Sequence, residues 1–127
     1  MLNPDLVGRT FKGATSTSIT ADSIAAFARA LGEIEILLAP PTFAITITLE
    51  QSRSVLVESG LDWSRVVHGD QRFLVIKPLG PGMEVTCDST IESARIVAGN
   101  EFVTVRSDVM TEGEVAVSSW STLVFRA

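Results

Sequence analysis

The second half of the chain alternates apolar and polar residues, the pattern of β-strands that bury one face. Turn residues separate the alternating runs at 80–82, 98–100 and 111–114, where Gly113 suits a left-handed turn position. The predicted strands span residues 66–79, 83–97, 102–110 and 115–126. Successive long strands joined by tight turns predict an antiparallel meander.

The first half contains one clear amphipathic helix, predicted over residues 20–33. Thr20 is a good N-cap, and Gly32 is placed to end the helix. A single buried stripe is formed by Ile24, Phe27, Ala28 and Leu31. Because this stripe needs a sheet or another helix to cover it, the helix and the meander together predict an α+β fold.

Residues 39–60 leave two structures open. Residues 45–48 have the β-branched composition of a strand. Pro40 and Pro41 followed by Thr42 also indicate a helix start, because proline is tolerated in the first turn. As a helix, this segment would be apolar on every side and would therefore be buried. The residues alone favour neither structure.

The composition is that of an ordinary globular chain, with 127 residues, 46% of them hydrophobic and 20% charged. This length predicts a single domain over residues 1–127. The net charge is −5 and the cationic residues are scattered singly, so no basic face for nucleic acid is expected. No apolar run approaches the roughly 20 residues of a membrane helix. No signal peptide is recognisable either, so we expect a cytoplasmic protein.

Few residues are available for metal binding or catalysis. The single cysteine, Cys87, lies in an alternating run and is expected to be a small buried or half-buried side chain. One cysteine and one histidine cannot form a zinc site of nitrogen and sulfur ligands, and we expect neither a metal nor another cofactor. The two tryptophans, Trp63 and Trp120, are interpreted as core or interface residues. The candidate general bases are the only histidine, His68, and the carboxylates.

The run around His68 contains polar residues that need an explanation. On a regular strand, His68 and Asp70 would share a face. They would form either a base with its orienting carboxylate or, as we favour, an exposed or half-buried pair at a strand end. Gln71 and Arg72 are consecutive, so one of them should point inward and find a hydrogen-bond partner.

Several stretches resemble the MaoC-like dehydratase family, specifically its N-terminal, FAS1-like hot-dog domain. The stretches are "PDLVGRTFKG", "FARALGE", "APPTF", "VVHGDQRFLVIKPLGPGMEVT", "AGNEFVTVRSDV" and "AVSSWSTLVFRA". They occur in the family's order and cover almost the whole chain. The resemblance implies a hot-dog fold, in which a long antiparallel sheet wraps around a central helix. It therefore implies a helix at Thr42–Leu49, and pairs of hot-dog units joined edge to edge.

Relatives of this fold hydrate 2-enoyl thioesters or dehydrate (3R)-hydroxyacyl thioesters, using a catalytic Asp and His after the first helix. The matching region here reads "LGEIEILLAPPTF" and contains neither residue, only Glu33 and Glu35. It is also shorter than in relatives, with residues 33–38 alone between "ALG" and "APPTF". The resemblance thus implies an acyl-CoA- or acyl-carrier-protein-thioester-binding subunit that lacks its own dyad. The partner would be a copy of itself or a catalytic hot-dog subunit.

The resemblance also implies where the thioester binds. Backbone N–H groups around Thr42 and Phe43 would face its carbonyl, since Pro41 has no N–H. His68, Gly69 and Gln71 would lie at the pocket edge or the dimer seam. Two alternatives stay open: a hot-dog thioesterase with Glu33, Glu35 or Glu50 as its base, and a non-catalytic scaffold that binds acyl thioesters.

Overall fold

A computed structural model describes residues 1–13, 16–32 and 38–127 of the chain. Two helices and six strands make up its regular structure. They are β1 (Thr10–Phe11), β2 (Thr17–Ser18), α1 (Ala21–Ala30), α2 (Ile45–Glu58), β3 (Val66–Val75), β4 (Glu84–Val97), β5 (Asn100–Thr111) and β6 (Glu114–Phe125). Short 3-10 helices occur at Pro4–Leu6, Pro41–Ala44 and Trp63–Arg65.

The strands form an antiparallel sheet in the order β1-β4-β5-β6-β3, with β2 also pairing with β4. The four long strands predicted from alternation are present, and β4, β5 and β6 form the expected meander. The tight turn before β6 has φ of 52° at Glu112 and 78° at Gly113, so both turn residues are left-handed. The α+β hot-dog fold is confirmed: the long sheet curves around helix α2.

Helix α1 begins and ends where its capping residues predict. The Thr20 side chain accepts a hydrogen bond from the Ser23 N–H at 3.1 Å, and the Ser23 side chain accepts one from the Thr20 N–H, forming a capping box. Gly32 adopts φ of 82° just beyond the helix. The predicted stripe is shorter than expected at its end, because Leu31 is 54% exposed.

The ambiguous segment is helical, as the resemblance implied. A 3-10 turn at Pro41–Ala44 leads into α2, which extends to Glu58, well beyond the expected end at Leu49. Its sheet-facing side buries Thr48, Ser52, Val55 and Leu56. Burial against the sheet outweighs the weak helix propensity of the β-branched residues.

The interior contains two apolar clusters separated by hydroxyl groups. The first cluster includes Leu56, Ile91 and Leu123, and the second includes Phe43 and Val109. The groups between them, here called the hydroxyl belt, are the buried side chains of Thr48, Ser52, Ser89, Ser107, Ser119 and Ser121. Within the described part of the chain, no buried side-chain N or O atom lacks a hydrogen-bond partner.

Among the described residues, no helix is long and apolar enough to cross a membrane.

Candidate functional site

Two of the clefts that border helix α2 reach its first turn. The cleft on the β3 side has a volume of about 420 Å³ and is lined by Ile45, Thr46, Leu49, Glu50, Arg53 and Trp63. The cleft on the β4 side has a volume of about 230 Å³ and is lined by Gly13, Thr17, Thr46, Ile47, Glu50, Gln51, Ser54, Val85 and Cys87. The first cleft is called the β3-side cleft because Trp63 belongs to the 3-10 turn that leads into β3; its other lining residues are all in α2.

Glu50 borders both clefts and is the only candidate thioesterase base in the described residues, since Glu33 and Glu35 lie outside them. Its carboxylate is exposed and lies 3.8 Å from the Arg53 guanidinium, one helical turn away. An exposed pair of this kind contributes little to stability. The Glu50 carboxylate is therefore accessible from solvent.

The start of α2 offers one backbone donor to a ligand. The Phe43 N–H donates to the Pro40 carbonyl at 2.9 Å, and the Phe43 ring is buried against Phe27 with centroids 5.5 Å apart. The Thr42 N–H has no hydrogen-bond acceptor among the residues that the structure describes, and Thr42 is exposed. No side chain in the described ranges caps this turn, so the partial positive charge at the start of the helix is available to a ligand.

A β-bulge in β3 decides which polar residues meet. The pairing register shifts between His68, opposite Leu123, and Asp70, opposite Thr122. Paired residues share a face, so His68 is on the inner face with buried Leu123, and Asp70 is on the outer face. The prediction that His68 and Asp70 share a face is wrong, because Gly69 is the extra residue of the bulge.

The same bulge places His68 beside Gln71, whose side chain reaches into the hydroxyl belt. His68 Nε2 lies 2.9 Å from Gln71 Oε1. Gln71 Nε2 donates to Ser119 Oγ at 2.6 Å, and Ser121 Oγ donates to Gln71 Oε1 at 2.5 Å. Ser119 Oγ in turn lies 3.4 Å from Thr48 Oγ1 on α2. The polar groups of Gln71 thus connect the edge of the sheet to the central helix.

Arg72 points to the opposite face, where its guanidinium stacks 4.5 Å from the centre of the Trp120 ring. The prediction that one of Gln71 and Arg72 points inward is confirmed, and Gln71 is that residue. Trp120 is therefore on the outer face of the sheet, whereas Trp63 packs against Phe125 of the first apolar cluster at 6.2 Å.

The residues expected at the site fall into two groups, one in the turn before α2 and one on β3. Phe43 belongs to the second apolar cluster, and Phe73, two residues beyond Gln71, packs against that cluster. Sequence reasoning named Thr42, Phe43, His68, Gly69 and Gln71 but missed Thr48, Ser119 and Ser121. The available signal was a serine at inward positions of consecutive strands, since Ser89, Ser107 and Ser119 are paired across β4, β5 and β6.

Two further titratable residues have structural roles. Burial raises the pKa of the Cys87 thiol to about 11, so this thiol is protonated and unreactive at neutral pH. The hydroxyl and N–H groups of Ser64 donate to Asp62 and hold the pKa of its carboxyl below the ordinary value. Asp62 caps the turn before β3 and is not a candidate acid or base.

Comparisons with known proteins give a consistent assignment. Residues 34–119 match the family described as the FAS1-like dehydratase domain region. A UPF0336 protein of Streptomyces griseus is 37% identical, over 99% of this chain and 96% of that protein. That alignment extends over 145 residues, against 127 here, so the relative contains residues without a counterpart in this chain.

Solved structures share the fold at low sequence identity. One is the C-terminally truncated HadBC (3R)-hydroxyacyl-ACP dehydratase complex of Mycobacterium tuberculosis. It superposes with a TM-score of 0.79 at 24% identity, over 97% of this chain and 99% of that chain. A MaoC-like dehydratase superposes with a TM-score of 0.85 at 20% identity, over 96% of this chain and 42% of that chain.

Proposed function

Since the chain belongs to the FAS1-like dehydratase-region family, we propose that it binds acyl thioesters as a subunit of a (3R)-hydroxyacyl thioester dehydratase or (R)-enoyl hydratase. A second hot-dog subunit would supply the catalytic Asp and His. The observation that carries this proposal is the Thr42 N–H, which has no hydrogen-bond acceptor among the described residues. It belongs to the turn that leads into α2, and Ile45 and Thr46 of α2 line the β3-side cleft.

The Thr42 N–H suits the developing charge of this reaction. When a proton leaves C2 of a hydroxyacyl thioester, negative charge moves onto the thioester oxygen. A preorganised N–H at the positive end of a helix stabilises that oxygen more than it stabilises the ground-state carbonyl. The apolar side chains of Ile45, Leu49 and Trp63 along the neighbouring cleft fit an acyl chain.

The proposed partner supplies the Asp and His that are missing after helix α1. The chain has one histidine, His68, and it is on the β3 edge rather than after α1. In this proposal, the acid that protonates the leaving 3-hydroxyl and the base for C2 are the His and Asp of the partner. Among the described strands, β3 pairs with β6 alone and exposes Val67 and Leu74 by 47% and 53%. A second hot-dog sheet at this edge fits that surface, and HadBC is itself a complex.

Hydration of crotonyl-CoA tests the proposal. The purified chain should show no hydration alone, and hydration should appear when a hot-dog subunit carrying both Asp and His is added. Thr42→Pro, which removes the N–H, should lower turnover of the complex by about a hundredfold, with melting temperatures verifying that the variant folds. Thr42→Ala keeps the N–H and should have little effect. Equal rates for the two variants would contradict the proposed role of Thr42.

A thioesterase is the second candidate, because Glu50 is accessible from both clefts. It predicts release of free thiol from acyl-CoA by the chain alone, abolished in Glu50→Gln. Hydration by the chain alone that survives His68→Ala but not Glu50→Ala would contradict the need for a partner. Thioester binding without turnover in any mixture would indicate a non-catalytic scaffold.

A further inference from the structure

The side chains of His68 and Gln71 form a pair that a regular strand would keep apart. Residues three apart on a strand face opposite sides, but the bulge at Gly69 returns both side chains to the inner face. Bulges often re-aim a side chain next to a functional site. Gly69 itself has little room for a side chain, because a Cβ there would lie 3.2 Å from Val124 Cγ2 and 3.4 Å from the Thr122 carbonyl.

The orientation of the Gln71 amide is set by its neighbours. The Arg72 carbonyl, 3.4 Å away, can only accept a hydrogen bond, so the group facing it is the Gln71 NH₂. Ser119, which is fully buried, accepts from the same NH₂. The Gln71 oxygen therefore faces both the Ser121 hydroxyl and the His68 ring.

This orientation determines which nitrogen of His68 carries a proton. Gln71 Oε1 has no proton to donate, so His68 Nε2 must be the donor in their 2.9 Å contact. In the neutral ring, Nδ1 is then left with its lone pair as a hydrogen-bond acceptor. Asp70 faces the other side of the sheet and does not compete for the ring.

We propose that His68 Nδ1 is a preset acceptor for an N–H group of the bound acyl thioester, namely an amide of its pantetheine arm. Gln71, Ser119 and Ser121 are positioning residues that hold the ring. Through Thr48, which contacts Ser119 at 3.4 Å, the acceptor is held relative to α2, whose first turn faces the thioester carbonyl. The inference rests on the proposed function and adds the acceptor to it.

Substituting His68 with Asn or Gln distinguishes the roles of its two ring nitrogens. In His68→Asn, the amide oxygen can take the place of Nδ1. In His68→Gln, the amide reaches the position of Nε2 and leaves no acceptor near Nδ1. Butyryl-CoA, a saturated thioester that cannot turn over, serves as the calorimetric probe. We expect His68→Asn to bind within about twofold of the wild type, and His68→Gln to bind about threefold to tenfold more weakly.

The ring itself is observable by nitrogen-15 NMR, because the chain has one histidine. The neutral wild type should show the Nε2–H tautomer alone, and butyryl-CoA should shift the Nδ1 resonance. Gln71→Met, which removes the acceptor from Nε2, should yield a mixture of tautomers and weaker binding. A purely structural Gln71 would leave the tautomer ratio unchanged.

Equal butyryl-CoA affinity of all His68 variants, or an Nδ1–H tautomer in the wild type, would overturn the inference. In either case the wild type would still bind the thioester, so the proposed function would stand. Failure of the wild type to bind any acyl thioester would overturn both, and the wild-type titration alone reveals that outcome. Melting temperatures of the variants verify that each one is folded.

Discussion

Gly69 shows how one residue changes the chemistry that its neighbours perform. As the extra residue of a bulge, it separates His68 from Asp70 and brings His68 to Gln71. The His68 imidazole is therefore oriented by the Gln71 amide, and not by the Asp70 carboxylate as on a regular strand. The amide carries no charge, so it selects the protonated nitrogen without drawing the ring into an ion pair.

Cys87 leads to a prediction about alkaline pH. Burial raises the pKa of its thiol from an ordinary 9.0 to about 11, so the folded protein holds this proton after the unfolded chain has lost it. This contribution to stability is complete below pH 9 and is lost as the pH rises towards about 11. Near pH 10.5, the free energy of unfolding of the wild type should have lost about 2 kcal/mol more than that of Cys87→Ala.

The measurement is urea unfolding at a series of pH values, with Cys87→Ala as the reference for all other titrating groups. Parallel stability curves for the two proteins would show that the thiol titrates alike in the folded and unfolded states.

At the scale of elements, the hydroxyl belt determines how α2 lies on the sheet. Ser107 is located between Val105 and Val109 of the two apolar clusters on β5, and its hydroxyl lies 2.7 Å from Ser89 Oγ and 3.3 Å from Ser52 Oγ. Small side chains at this crossing let the helix approach closely, and their hydroxyls satisfy one another.

Substitutions at Ser107 test this packing. Ser107→Val adds volume under α2 and removes the hydroxyl, and we expect it to lower the free energy of unfolding by about 1–3 kcal/mol beyond the loss seen in Ser107→Ala. Denaturant midpoints of the two variants give the comparison. If Val were tolerated as well as Ala, the crossing would have unfilled space and the belt would not set the helix position.

At the scale of the whole molecule, the two apolar clusters share one sheet. Strands β4, β5 and β6 each contribute residues to both clusters. Unfolding of these strands in one cluster would therefore also disrupt the other cluster. This continuity supports the proposal that residues 1–127 form one domain and should unfold as one cooperative unit.

A substitution in one cluster, observed from the other, tests this cooperativity. In a Trp120→Phe background, Trp63 is the only tryptophan and reports on the first cluster. Val109→Ala in the second cluster should lower the Trp63-monitored stability by about 2 kcal/mol, matching the loss seen by far-UV circular dichroism. A Trp63 transition that Val109→Ala leaves unchanged would indicate two independent units.

The four long strands and helix α1 followed from local patterns. Alternation located the long strands, and Thr20 and Gly32 located the ends of α1, because capping and side-chain alternation act over a few residues. Residues 45–48 show the limit of this reasoning. Their composition fits a strand, and burial under the sheet makes them helical. The family resemblance predicted the helix at these residues, whereas their local propensity did not.

The sequence by itself therefore determined the class of fold, the long strands, the first helix and the residue types available for chemistry. Tertiary structure alone decided that His68 meets Gln71 rather than Asp70 and that Ser119 connects Gln71 to Thr48. It also decided that no described residue accepts a hydrogen bond from the Thr42 N–H. The physical reason is the sequence distance over which each interaction acts. Capping and alternation are contained in neighbouring residues, whereas a register shift and a hydroxyl contact across the core depend on strands and helices that meet only after folding.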